Sequence, residues 1–244
     1  MAPSSPVLIG IVGDSGSGKT TLSSCIAESV GIGRTTLICL DDYHRYDRAE
    51  RDRRAITALD PECNRLDLVT EHLAALRGGA SVTKPVYDHH DGTFAPDEIV
   101  TPRDVIVVRG LLGLHTEALA RCFDLSVFLD PDPALRIAWK VERDCAKRGY
   151  SRDQVIAQIE QRRPDADRFI APQQERADIV IQFAPSHSHS HAGDGGSSLH
   201  MRITFRQSGP PRTPAGQRVM PTVLSAAARA RAGEPRTGTA EPPG

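Results

Sequence analysis

No run of apolar residues in this 244-residue sequence is long enough to cross a bilayer. Its first residues lack a basic segment followed by an apolar one, so no secretory signal is expected. Charge of either sign is not in excess. The 30 Lys and Arg against 31 Asp and Glu leave a formal net charge of −1, which excludes a general attraction to nucleic acid or to a membrane surface. Cys25, Cys39, Cys63, Cys122 and Cys145 are scattered, with neither a C-x-x-C pair nor zinc-ligand spacing, so reduced thiols are expected. Hydrophobic residues make up only 39%, part of the shortfall lying in the tail. These absences predict a soluble, cytoplasmic protein with one large α/β domain or two small ones.

What the sequence does contain is concentrated first in Val7–Leu22. Val7–Val12 is a short continuous apolar run that reads as a buried parallel strand. Gly13, Asp14, Ser15, Gly16, Ser17, Gly18, Lys19 and Thr20, with Thr21 behind them, fit G-x-x-x-x-G-K-[ST] at every fixed position. Glycines at 13, 16 and 18 let the backbone curl so that its N–H groups surround phosphate oxygens. The helix that follows, marked by Leu22, Ile26 and Val30 and stopped at Gly31, adds the positive end of its dipole. Lys19 is placed to reach the outer phosphates, and Thr20 to offer a hydroxyl to Mg²⁺. A Gly/Ser-rich loop with a stray lysine would need neither the strand before nor the helix after. The stretch is therefore read as a nucleoside triphosphate site.

Beyond the leader Met1–Pro6 and this loop, Thr35–Leu40 reads as a second strand, ending in Asp41-Asp42-Tyr43-His44. Tyr46–Ala55 is charged and expected at the surface. Leu66–Arg77 is amphipathic, with Leu66, Val69, Leu73 and Leu76 on one face and Gly78-Gly79 after it. Lys84–Gly92 reads as an ordered loop. Val105–Val108, Leu125–Leu129 and Ile179–Phe183 read as three further strands. Between the last two, a long helix is expected over Ala134–Arg148, closed by Gly149. A capping box at Ser151–Gln154 then opens a helix bounded by Pro164. Strands alternating with helices predict a mostly parallel sheet covered on both faces, with ligands beyond the carboxyl ends of its strands.

From Ala184 the composition shifts to Ser, His, Gly, Pro, Ala and Arg. The expected organisation is a kinase-type domain over 1–183 followed by a tail over 184–244. Ala184–Gly196 is expected to be a linker, Leu199–Phe205 a strand, and the residues after Gln207 largely disordered. His187, His189 and His191 alternate as loose metal ligands would, but a low-complexity polar tail explains them more simply.

A kinase needs a base for the acceptor hydroxyl and cations to align both substrates. Asp41 and Asp42 end the second strand beside the phosphate loop; either is suited to the proton or to Mg²⁺, and a turn aspartate accounts for one of them. His44, Arg45 and Arg48 add positive charge nearby. Lys140, Arg143, Asp144, Lys147 and Arg148 line one helical face, a pattern that a solvated salt-bridged face also produces.

The blocks GDSGSGKTT, ICLDDYHRYDR, TALDP, KPVYDHHDG, FLD, AWKVERDCAKRGYS, RRPD and PQQERADIVI occur in an order that resembles the phosphoribulokinase and uridine kinase family, specifically its phosphoribulokinase branch, over roughly Val7–Phe183. The resemblance implies a P-loop kinase that uses ATP and Mg²⁺ to phosphorylate the 1-hydroxyl of D-ribulose 5-phosphate, the Calvin-cycle step. It implies Asp41 as catalytic base, Thr20 and Asp41 at the metal, and Lys19, Lys140 and Asp144 as catalytic residues. His44, Arg48, Tyr87, His89, Arg143 and Arg148 are implied at the sugar phosphate. A homo-oligomer is compatible with it.

Two departures stand out. Where the family has Glu after the third strand, this sequence has Arg109-Gly-Leu-Leu112. That leaves open a nucleotide-binding pseudoenzyme or regulatory subunit, while a uridine-kinase-like or other small-molecule kinase on the same scaffold is the second alternative. Ser17 stands where plant enzymes carry a regulatory cysteine, so no thiol switch through Cys39 is expected.

Overall fold

The protein is described by a computed structural model covering residues 5–185, 199–205 and 213–232. Its strands and helices run in the order β1 (Val7–Val12), α1 (Lys19–Val30), β2 (Thr35–Cys39), α2 (Arg48–Arg54), α3 (Leu66–Arg77), β3 (Val82–Asp88), β4 (Thr93–Val100) and β5 (Val105–Gly110). They continue with α4 (Glu117–Ala120), β6 (Leu125–Leu129), α5 (Pro133–Arg148), α6 (Arg152–Asp165), β7 (Ile179–Pro185), β8 (Leu199–Phe205) and α7 (Pro214–Ala232). Six strands form one sheet in the order β2-β5-β1-β6-β7-β8, parallel except for β8, which pairs antiparallel with β7. The fold is the α/β, mostly parallel sheet with helices on both faces that the alternating pattern predicts.

Strand alternation sends side chains to two cores. Leu8, Val12, Ile106, Val108, Phe128 and Val180 pack toward α3 and α4. Ile9, Ile11, Val105, Val107, Leu125, Val127, Ile179 and Ile181 pack toward α1 and α7. On the first face position 10 has room only for glycine, because a Cβ there would stand 2.9 Å from the Phe123 ring.

Several expectations are corrected. Lys84–Gly92 is no irregular loop: β3 and β4 form an antiparallel hairpin, a separate two-stranded sheet. Pro85 hid it, because proline disfavours strand interiors; the pairing shifts register between Lys84 and Val86, where Pro85 sits. Tyr46–Ala55 holds α2, capped by Asp47, and its Arg51 is buried. Pro164 lies inside α6 rather than bounding it, and the chain continues into a π-helical turn at Ala166–Ile170.

The strand expected at Leu199–Phe205 is β8, whose partners include Ala184 and Pro185, so those two residues belong to the sheet rather than to a linker. The expectation of disorder after Gln207 fails at Pro214–Ala232. There the Ala-rich sequence forms α7, with Val223, Ala226 and Ala227 fully buried against the second core. His187, His189 and His191 lie outside the described residues.

Candidate active site

The first parallel strand delivers its chain end into the phosphate loop. Gly13, Gly16 and Gly18 all have positive φ (149°, 85° and 94°), which lets the loop turn its backbone inward. No side chain caps the start of α1 and no acid lies in its first turn, so its N–H groups remain for an anion. Ser17 Oγ is buried without a hydrogen-bond partner among the described residues. Lys19 Nζ folds back on the loop, donating to the carbonyls of Gly13 and Asp14 at 2.8 Å each. Burial lowers the Lys19 pKa to about 8, against the opposing pull of Asp41 and Asp14. A glycine-turned loop, an uncapped helix start, an orphaned hydroxyl and a lysine held by loop carbonyls fit a polyphosphate. Thr20 is partly buried at the head of α1 and Thr21 is exposed.

At the tip of β2 the chain turns through a 3₁₀ segment, Leu40–Tyr43, which gives the two aspartates opposite environments. Asp42 is buried: its carboxylate accepts from Lys84 Nζ at 2.6 Å and from the Tyr87 amide at 3.1 Å. Asp41 is partly open, with His89 Nε2 at 3.7 Å from its Oδ2. Burial works to raise the Asp41 pKa, but His89, Lys19 and Arg148 hold it below the ordinary carboxylate value. Asp41 is thus an ionised carboxylate within the electrostatic reach of the loop lysine. Asp42 is the turn aspartate.

The third contribution comes from α5, which lies on the loop. Arg136 Nη1 pairs with Asp14 at 2.8 Å and donates to the Ser15 carbonyl, while Arg143 Nη2 donates to Ser15 Oγ at 3.2 Å. Asp144, 1% exposed, receives Lys140 at 2.6 Å, Arg143 at 2.8 Å and Arg148 at 3.5 Å. One carboxylate therefore sets three cations. Lys140 is itself buried, so Lys140 and Asp144 are internal supports, and Arg143 and Arg148 are the partly exposed cations.

Not every expected site residue faces the cleft. His44 is buried, its Nδ1 2.9 Å from Asn64 Oδ1. Asn64 Nδ2 donates to the carbonyls of Ala58 and Asp60, so the shared proton sits on His44. Burial pushes the His44 pKa down to about 4, so it is neutral and adds no positive charge, contrary to expectation. Tyr87 is buried as well; its hydroxyl accepts from Arg51 at 2.6 Å. Arg48 ties the hairpin turn, donating from Nη2 to the His89 carbonyl and from its amide to Gly92, both at 2.8 Å. Arg136 was missed, although it precedes Lys140 by four residues on the same helical face.

Arg109, next to last in β5, reaches over α1 and donates from Nη1 to Ser23 Oγ at 3.3 Å. Neighbouring Cys39 is pushed up to about 11 by burial and then by Asp41, which leaves little reactive thiolate. Cys39, Cys63, Cys122 and Cys145 form no disulfide among the described residues.

A phosphate loop, a carboxylate at the next strand's tip and a cationic helix lie together, and residues 8–190 match the Phosphoribulokinase / Uridine kinase family. The chain belongs to that family. Among relatives of this phosphoribulokinase/uridine kinase member, the phosphoribulokinase of a Synechocystis species is 42% identical over 180 residues, covering 74% of this chain and 54% of that protein. The chloroplastic phosphoribulokinase of Arabidopsis thaliana is 38% identical over 197 residues, covering 74% and 50%. The uridine kinase of Brevibacillus brevis is 37% identical over 180 residues, covering 72% and 84%. The chain spans about half the length of the curated phosphoribulokinases it matches. In fold it is similar to the solved phosphoribulokinase from Rhodobacter spheroides, with a TM-score of 0.63 at 23% identity over 84% of this chain and 81% of that one.

Proposed function

We propose that this chain transfers the γ-phosphoryl group of ATP to the 1-hydroxyl of D-ribulose 5-phosphate, giving D-ribulose 1,5-bisphosphate and ADP in the Calvin cycle. The observation that carries the reading is Asp41: an ionised carboxylate at the tip of β2, facing the phosphate-loop lysine and flanked by Arg148 and His89. Its place suits a base that takes the proton of the attacking hydroxyl. Residues 13–21 hold the triphosphate, with Lys19 leaving its loop carbonyls for the outer phosphates. Arg143 and Arg148 hold the sugar phosphate from α5, positioned by Lys140 and Asp144, while Arg48 and His89 close the site from the hairpin side. His44 and Tyr87 act from beneath, by packing edge-on at 4.9 Å between ring centroids.

The side chains that would hold Mg²⁺ are Thr20 and Asp41; Asp42 is committed to Lys84. Among the described residues no cluster of three His, Cys, Asp or Glu forms a metal cage. Mg²⁺ needs none when phosphates and water supply most of its ligands. When bound, it would neutralise charge on the phosphate oxygens.

The uridine kinase similarity favours a second reading, phosphorylation of a nucleoside, which has no phosphate to engage the cations of α5. ADP release measured with ribulose 5-phosphate and with uridine separates the two. Turnover on the sugar phosphate is expected, and Asp41→Asn should lower kcat by about 10²–10⁴-fold with ATP affinity little changed. Turnover on uridine alone would overturn the proposal, as would an Asp41→Asn variant as active as wild type. Binding of ATP without turnover on either acceptor would favour a regulatory role.

A further inference from the structure

The β3–β4 hairpin stands apart from the main sheet, yet it brings His89 to the base. A two-stranded ribbon has little stability of its own, so something must fix where its tip lies. The base of the hairpin is anchored by Val82 and Val100, which enter the first core. Further along, the contacts are polar. Lys84, 2% exposed, donates from Nζ to Asp42 Oδ2 at 2.6 Å, to Glu98 Oε1 at 2.7 Å and to the Pro85 carbonyl at 3.2 Å. The other oxygen of Asp42 accepts from the Tyr87 amide. Burial alone would lower the Lys84 pKa, but its bonds to the two carboxylates raise it, so the ammonium stays charged.

Asp42 and Asp41 are adjacent on one rigid 3₁₀ turn. The hairpin is therefore bolted to the first of these carboxylates and presents His89 to the second.

We infer that Lys84 is a positioning residue for phosphoryl transfer: clamped between Asp42 and Glu98, it docks the hairpin on the β2 turn and so sets His89 and the hairpin side of the acceptor pocket opposite Asp41. The inference rests on the proposed kinase reading for its catalytic consequence, but the docking itself does not. Among the described residues no hydrogen bond or ion pair joins Lys84 to the phosphate loop or to α5; its partners are Asp42, Glu98 and the Pro85 carbonyl. Its loss should leave nucleotide binding intact while misplacing one wall of the site, and a displacement of about 1 Å is enough to slow a reaction about 100-fold.

The test compares wild type, Lys84→Met, Lys84→Arg and the double variant Lys84→Met/Asp42→Asn. The double variant removes both charges, so no unpaired carboxylate is left buried. Steady-state kinetics with ribulose 5-phosphate are combined with calorimetric ATP binding and amide exchange over the hairpin. Lys84→Met and the double variant should lose about 10–100-fold in kcat with ATP affinity within about twofold of wild type. Exchange at Tyr87 should accelerate, and Lys84→Arg should recover much of the rate.

Normal kcat in the folded double variant would overturn the inference, as would ATP affinity falling in step with kcat, which marks general destabilisation. If wild type itself does not turn over ribulose 5-phosphate, the kinase reading fails on that result alone. The docking then stands or falls on whether Tyr87 exchange changes in the variants.

Discussion

Asp41 and Asp42 are the same residue type on one turn, yet one is spent on structure and the other is free to react. The difference is set by a lysine 42 positions away in sequence, which no local pattern reveals. For that reason the sequence narrows the base to this pair and the fold has to choose. His44 shows the same limit in reverse, because its charge depends on burial beside Asn64 and not on its neighbours in the chain. Its folded pKa of about 4 lies below the ordinary 6.5, so the unfolded chain holds the proton more tightly. Its stabilising contribution is therefore complete above about pH 6.5 and is lost as pH falls toward about 4. Urea unfolding across that window should show a loss on the order of 3 kcal/mol from this group. His44→Gln should flatten that part of the slope, and an unaltered slope would assign the acid sensitivity to another residue.

At the scale of elements, helices and parallel strands were legible where apolar periodicity and caps agree. Leu66–Arg77 and Leu125–Leu129 fall on the expected residues, and the capping box at Ser151–Gln154 forms as read. The hairpin was not legible, because exposed β4 contributes little hydrophobic signal and Pro85 argues against a strand. The approach of α5 to the phosphate loop was likewise hidden, since only packing brings them together. Gly16 marks that approach: a Cβ there would lie 2.8 Å from Lys140 Cβ and 3.1 Å from the Arg136 carbonyl, on a backbone with φ of 85°. Gly16→Ala must therefore push α5 away or distort the loop. Calorimetry should show ATP binding weakened about tenfold or more, since such strain costs about 1–3 kcal/mol. Binding at wild-type strength would mean that α5 yields freely, and that the Arg143–Ser15 contact does not define the site.

For the molecule as a whole, the face of the sheet bearing α1 is completed by a helix from far beyond the last central strand. Thr213 opens it, its hydroxyl accepting from the Gly216 amide and donating to Asp124. Arg229 fastens its other end, donating to the Cys25 carbonyl at 2.9 Å and to Ser29 Oγ. Between them Val223, Ala226 and Ala227 pack with Ile9, Ile11, Leu22 and Ile26. Small residues allow α7 and α1 to approach closely, and the Ala- and Arg-rich composition that resembles a disordered tail is what such packing requires. If α7 is part of the folded unit, a charge in that seam should destabilise the phosphate-loop side of the protein. Ala227→Glu is expected to lower unfolding free energy by about 3 kcal/mol or more, through burial of an unpaired carboxylate. Exposed Arg218→Ala on the same helix should change it by less than about 0.5 kcal/mol. Guanidinium unfolding followed by the fluorescence of Trp139, which packs in the same core, reports both variants. An Ala227→Glu midpoint matching that of Arg218→Ala would show that α7 does not hold this face in solution.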